Sequence, residues 1–336
     1  MSGEYFARAT VRRVVDVAPD VRLIELVPDA GVAPYPPGSH IDIAVSIGGI
    51  PDTRSYSLVG EPDGQAYRIA VKQVPDSRGG SRVVRALSPG QEALISAPKS
   101  HFELAHGRPE YLLVAGGIGI TPLIGMAQAL HRHGRSFRLL YSARTRAQLA
   151  FADELRELLG ERLELFVDAE GTRIEVAARI AALDPDAELY LCGPQGMRDA
   201  VARAWLAAGR RADRLRFETF ASGGRFAPQE FVVRAADLDG AEFVVARETT
   251  MLDALAEQGV ELMWDCRRGE CGLCAVSVLA CEGELDHRDV FLSESQRAQC
   301  RTMLACVSRA VGGAVTIDSG FRSDPERPRS VAMQRS

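Results

Sequence analysis

The seven cysteines of this 336-residue chain are placed unevenly: none precedes Cys192, and six fall between Cys266 and Cys306. Cys266, Cys271 and Cys274 stand in CRRGECGLC with the spacing C-x4-C-x2-C, and Cys306 follows in LACVS. That is the plant-type spacing of a [2Fe-2S] cluster. One loop has to wrap a small inorganic cluster, so Gly269 and Gly272 let the backbone turn and aim N–H groups at the sulfurs. An odd, clustered set does not read as an extracellular disulfide framework. Structural zinc asks for two Cys or His knuckles, and this region has one histidine, His287. A Rieske centre asks for two His ligands, and no C-x-H pair is present. Spacing alone leaves the fourth ligand open among Cys306, Cys281 and Cys300, whose bland reading is as small apolar side chains.

At about 150 residues per domain the chain has room for two to three domains. With 46% hydrophobic and 25% charged residues it reads as globular, and a net charge of −5 argues against nucleic acid as a partner. Residues 4–104 carry short β-rich runs between Gly/Pro turns, such as VRLIELV, HIDIAVSI and YRIAVKQV, the rhythm of an antiparallel barrel or sandwich. From about residue 109 the pattern alternates: YLLVA, a helix, FRLLYSA, a helix over 146–159, LELFVDA, a helix, then ELYLCG. This predicts a parallel sheet with crossover helices. After ASGGRFAPQ comes an acidic segment, residues 229–319, with 16 Asp and Glu against 8 Arg. From Phe321 the tail lacks apolar periodicity and is expected to be mobile. The uncharged stretch Tyr111–Leu130 is long enough for a membrane span, but its glycines and Pro122 fit a strand, a turn and a helix better. The opening MSGEYFARATVRR shows no secretory pattern, so a cytoplasmic location and no membrane association are expected.

GGIGITP, with Gly116, Gly117, Gly119 and Thr121, follows an apolar strand and opens a helix. Such a turn suits a pyrophosphate, because glycines admit it and the helix start offers free N–H groups. CGPQGM supplies a second turn, Cys192, Gly193 and Pro194, at the end of a later strand, and Cys192 is a candidate to face a nicotinamide ring. Both turns fall at the carboxyl edge of the sheet, where open α/β sheets bind ligands. Asp168, ending LELFVDA, would bond ribose hydroxyls and repel a 2′-phosphate; Arg144 and Arg146 argue the other way. In the first segment, RSYS and the helix beginning RGGSRVVRAL would hold a phosphate between Arg54 and the helix start at Gly80 and Ser81, with Tyr56 packing an aromatic ring system.

With RSYSL, IAVK, GGS, GGIGITP, CGPQGM, FETF, CRRGECGLC and LACVS in this order, the chain resembles the phthalate dioxygenase reductase family over residues 4 to about 320. The resemblance implies three domains: an FMN-binding antiparallel β-barrel over 1–105, an NAD-binding α/β domain over 106–228 and a β-grasp ferredoxin domain over 229–320, followed by a 321–336 tail. It implies that Arg54, Tyr56 and Ser57, with Ala70, Val71, Lys72, Gly80 and Ser81, hold FMN rather than FAD. Phe226 resembles the aromatic that covers the flavin where nicotinamide enters, and Cys306 becomes the fourth cluster ligand. The implied activity is NADH-dependent electron transfer through FMN and a [2Fe-2S] cluster to the oxygenase or demethylase component of a Rieske-type system. A self-sufficient quinone reductase is the alternative, and a redox sensor a third reading against which the two nucleotide turns argue.

Overall fold

The structure is a computed structural model that describes residues 6–73, 79–220, 224, 226–267 and 269–320. Arg78, Arg268 and the segment from Phe321 lie outside the described residues. The chain divides into two compact units, Met1–Glu218 and Thr219–Ser336.

The first unit opens with strands β1 (Phe6–Ala18), β2 (Val21–Pro28), β3 (Ser39–Ile47), β4 (Ile50–Ser57) and β5 (Tyr67–Lys72), helix α1 (Gly80–Arg85), then β6 (Glu92–Ser96) and β7 (Lys99–Ser100). All pairings are antiparallel, in the order β4-β3-β6-β1-β2-β5 with β7 beside β3. Leu58 bridges to Ile69, joining the end of β4 to β5. Alternate residues Ile24, Leu26, Ile41, Ile43, Ile69 and Val71 fill an interior core, the inward set that period-two patterning prescribes. The outward residues Val21 and Ala70 belong instead to a second apolar cluster that continues into the next layer.

That layer is a parallel sheet of β8 (Tyr111–Gly116), β9 (Phe137–Ala143), β10 (Leu163–Val167), β11 (Glu188–Cys192) and β12 (Leu215–Glu218), ordered β10-β9-β8-β11-β12. The chain crosses between its strands through α2 (Ile120–Arg132), α3 (Ala152–Leu159), α4 (Val176–Ala181) and α5 (Gln195–Ala207). One sheet face packs Leu113, Tyr141 and Tyr190 with α2 and α3; the other packs Leu112, Leu140 and Leu191 with Ile180, Val201 and Trp205. Covered on both sides, β8 is buried at every residue, which is why it reads as an unbroken apolar run. The uncharged Tyr111–Leu130 stretch is thus β8, a tight turn at Gly117–Gly119 and most of α2. Among the described residues, no helix is long and apolar enough to cross a membrane. The single helix expected over 146–159 is broken: a 3-10 turn spans Arg146–Gln148, Phe151 adopts φ 63°, and α3 starts only at Ala152.

The second unit holds β13 (Phe231–Ala235), β14 (Ala241–Val245), α6 (Met251–Glu257), β15 (Ala275–Cys281), β16 (Glu284–Asp286), α7 (Glu294–Gln299), β17 (Thr302–Leu304), β18 (Arg309–Val311) and β19 (Ala314–Asp318). A mixed sheet ordered β14-β13-β19-β15-β17 lies beside a β16-β18 pair. Val233, Val245, Val315 and Ile317 of the sheet bury Met251 and Leu255 of α6. Thr250 starts that helix by accepting the Asp253 N–H on its hydroxyl at 3.1 Å, an ordinary N-cap.

Candidate functional site

The long loop between α6 and β15 carries three of the four cysteines, and Cys306 follows β17. Cys274 and Cys306 are both 3% exposed and their thiols are hydrogen-bonded to each other; that bond pushes Cys274 down to about 7 and, with burial, pushes Cys306 up. The Gly269 N–H also reaches the Cys306 sulfur. Cys266 Sγ accepts the N–H groups of Glu270 and Cys271, each at 3.4 Å. Four thiols, with backbone donors aimed at the sulfurs of Cys266, Cys274 and Cys306, are the donor set a [2Fe-2S] cluster requires, so these residues fit the group. Among the described residues, no three potential ligands converge as for a single metal ion. A binuclear cluster does not ask for that, because two irons share the four thiolates.

The glycines of this loop have specific reasons. Gly269 has φ 76° and would place a Cβ 2.9 Å from the Asp289 Cα; Gly272 has φ 79° and would drive one into the Phe291 ring. Asp289, fully buried, ties the support together by accepting the Leu292 N–H at 2.8 Å. Burial opposes its ionisation, yet the His287 ring 3.7 Å away, the Leu292 N–H bond and the charge of Arg297 hold its carboxyl below the usual range. The rival cysteines sit elsewhere. Cys300 ends α7 in left-handed conformation, exposed, its thiol donating to the Arg297 carbonyl at 3.2 Å, and Cys281 is half-buried, which pushes its thiol up.

In the first unit, the glycine turn after β8 and the turn after β11 pack against each other. A Cβ on Gly119 would lie 2.2 Å from the Cys192 carbonyl oxygen, and one on Gly116 would lie 2.5 Å from Pro194. These two glycines are therefore required by turn-to-turn packing. Gly117 differs: it has φ 55° and its Cβ position is open apart from Lys72 Nζ at 3.8 Å, so the backbone there can be approached. Thr121 is buried and bonds the Ile118 carbonyl at 3.1 Å; Gly193 is half-buried and Pro194 exposed.

Arg54 crosses directly over Gly80, whose added Cβ would lie 2.1 Å from the guanidinium Nε. Its Nη1 pairs with Asp52 at 2.7 Å, while its Nη2 is buried without a partner. A buried guanidinium nitrogen with no acceptor beside a helix start fits a phosphate. Tyr56, on the same strand, is half-buried, and burial pushes its hydroxyl up to about 12. Ala70 and Val71 are buried in β5, and Lys72 at its end reaches Asp20 at 3.4 Å; Ser81 is half-buried in α1.

Ser57, at the end of β4, donates to Glu218 Oε2 at 3.2 Å. Glu218 ends β12 and lies beside Cys192 in the parallel register. Cys192 is fully buried on the sheet face whose apolar cluster includes Val21 of β2 and Ala70 of β5. The structure thus brings Ser57, Cys192 and Glu218 together from strands remote in sequence. Glu218 was visible beforehand only as a letter in FETF; nothing local marks a carboxylate whose partner is Ser57. Asp168 stands exposed at the end of β10. Phe226 falls in the second unit, its carbonyl accepting from Arg288 Nη2 at 2.9 Å.

Residues 113–203 match the oxidoreductase NAD-binding domain family, and residues 236–311 match the 2Fe-2S iron-sulfur cluster binding domain family. The chain is 39% identical over 320 residues to a putative toluene-4-sulfonate monooxygenase system reductase subunit of Comamonas testosteroni, covering 92% of this chain and 98% of the relative. It is 36% identical over 321 residues to a tetrachlorobenzoquinone reductase of Sphingobium chlorophenolicum, covering 92% and 97%. The solved structure of phthalate dioxygenase reductase, described as a modular structure for electron transfer from pyridine nucleotides to [2Fe-2S], aligns with TM-score 0.74 and 30% identity over 93% of this chain and 98% of that one. Two family matches falling on the two motif regions, and relatives aligned over nearly their full length, carry one conclusion: the chain is an oxidoreductase of the phthalate dioxygenase reductase family, whose cofactors are FMN, NAD and a [2Fe-2S] cluster.

Proposed function

We propose that this chain accepts hydride from NADH at the Ser57–Cys192–Glu218 site and delivers electrons one at a time, by way of the cysteine loop, to a separate oxygenase or demethylase component of a Rieske-type system. The observation that carries the reading is the pairing, in one chain, of two interlocked turns at the carboxyl edge of a nucleotide-type sheet with a four-cysteine set in which Cys266, Cys274 and Cys306 are met by backbone N–H groups. FMN, when bound, supplies the exchange between a two-electron donor and a one-electron carrier.

The remaining work falls to the chain's own residues. The orphaned Arg54 nitrogen and the α1 start at Gly80 and Ser81 hold the flavin phosphate, while Tyr56 and the β5 edge Ala70 to Lys72 flank the ring system. Gly117 lets a dinucleotide pyrophosphate reach backbone N–H groups, and Gly193 and Pro194 shape the facing wall. Buried Cys192 lines the nicotinamide side, and the Ser57 hydroxyl, which donates to Glu218, keeps its oxygen as an acceptor beside the reacting rings. Cys266, Cys271, Cys274 and Cys306 are the cluster ligands.

The test is NADH oxidation by the purified holoprotein with ferricyanide, with cytochrome c and with substituted quinones. Ferricyanide taking electrons with or without the cluster, and cytochrome c only with it, is the expected pattern. Undiminished cytochrome c reduction after loss of the cluster would refute the route. The quinone-reductase relative keeps a second reading in play: saturable quinone turnover at a rate matching that of NADH-to-flavin reduction would make a small molecule the acceptor.

A further inference from the structure

The turns that follow β9 and β10 are tied to each other. The Ala169 N–H donates to the Arg144 carbonyl at 3.0 Å. Arg146 forks onto Glu170, with Nε on Oε1 at 2.9 Å and Nη2 on Oε2 at 2.5 Å. Asp168 begins the same turn as Glu170, and Gly171 closes it at φ 73°. Arg144, Arg146, Asp168 and Glu170 are all exposed. Two cations and two carboxylates therefore share this rim, and the fork of one cation is committed.

The placement gives the rim a meaning. A dinucleotide pyrophosphate at the turn after β8 has two directions to run. Toward β11 and β12 lie Cys192, Glu218 and Ser57, the side assigned to the reacting ring, so the adenosine arm runs over β9 and β10. The end of β10 is two strand spacings from β8, about 10 Å. A ribose with free hydroxyls is met by carboxylate acceptors, whereas a 2′-phosphate is met by a forked arginine.

We infer that Glu170 is a specificity-determining residue: by occupying the Arg146 fork it withholds the cation a 2′-phosphate needs, and with Asp168 it turns a carboxylate rim toward the ribose, so that NADH is taken in preference to NADPH. The inference rests on the NADH reductase reading above. Removing Glu170 takes one negative charge from the rim and frees a guanidinium already held on the turn; both changes favour a dianionic phosphate. Exposed ion pairs add little to stability, so the fold should survive the change.

Three variants of the holoprotein test this: Glu170→Ala, Arg146→Ala and the two combined. By calorimetry, Glu170→Ala should bind 2′,5′-ADP about fivefold tighter than the unaltered chain, as one newly available charge-assisted contact at an exposed site allows, while 5′-ADP binding does not tighten. The gain should vanish in the double variant. Steady-state kcat/KM for NADPH should rise by a similar factor, through KM, while kcat/KM for NADH does not rise. Unaltered 2′,5′-ADP affinity in Glu170→Ala, or a gain that persists in the double variant, would overturn the assignment. Because binding is read apart from turnover, a chain that responds as expected with these nucleotides yet fails to reduce flavin with NADH would count against the reductase reading alone.

Discussion

Arg54 shows how much one side chain carries. Its Nη2 is buried and has no acceptor, a state that costs free energy unless a phosphate completes it. Arg54→Ala should weaken FMN retention by about tenfold or more, since a hydrogen bond to a charged group is worth about 1.5–3 kcal/mol. The flavin-to-protein ratio after dialysis measures this, and equal ratios would remove Arg54 from the site. At the cluster, Cys306→Ser should abolish the iron-sulfur absorbance and keep NADH-dependent flavin reduction; Cys300→Ser should keep both. The opposite pattern would move the fourth ligand to the end of α7. Arg54 and the cysteines were legible in the sequence because their chemistry is written in local spacing. Glu218 was not, because its meaning lies in a bond to Ser57, 161 residues away.

Among the elements, β11 and the glycine turn make the sharpest predictions. Gly119 has φ −63°, which alanine adopts freely, so Gly119→Ala tests contact alone. The obstacle is the Cys192 carbonyl oxygen at 2.2 Å, which is backbone and cannot swing away. Such overpacking should cost about 1–3 kcal/mol and raise KM for NADH; an unchanged melting temperature and KM would show that the two turns are not interlocked. At the other end of β11, Glu188 is fully buried. Burial pushes its carboxyl up, but bonds from Arg108, Arg216 and Tyr190 outweigh this and hold it below its ordinary 4.5. A lowered folded-state value means stabilisation that is present above pH 4.5 and is lost as pH falls through that lower value. A Glu188→Gln variant should therefore show a melting temperature that depends less on pH below 4.5 than that of the unaltered chain. Parallel melting curves would remove Glu188 from acid stability.

Across the whole chain, charge is divided unevenly. Residues 229–319 carry 16 Asp and Glu against 8 Arg, a net −8, and the rest sums to +3. Transient protein partners are gathered by complementary fields more than by buried area. Electron delivery to a protein acceptor should therefore slow as salt rises above about 0.1 M, where the Debye length is about 10 Å, while NADH-to-flavin reduction changes much less. Stopped-flow traces of both steps across a salt series would decide it. A salt-independent delivery step would leave the acidic segment as a solvated surface only.

What the sequence determined by itself was whatever depends on near neighbours: β-rich runs, the alternation of strand and helix, the cysteine loop, and glycines where the chain must turn. YLLVA announced a strand covered on both faces because every residue in it is apolar, and CRRGECGLC announced its cluster because three ligands on one loop need a set spacing. Tertiary structure alone decided the pairings that chain distance hides. Gly116 and Gly119 read as phosphate glycines, yet what excludes a side chain there is the facing turn at Cys192 to Pro194. Arg146 read as a cation that would welcome a 2′-phosphate; its fork is closed by Glu170 from the next strand's turn. In each case the deciding partner lies across a sheet or a core, and spacing along the chain carries no information about which two turns will meet.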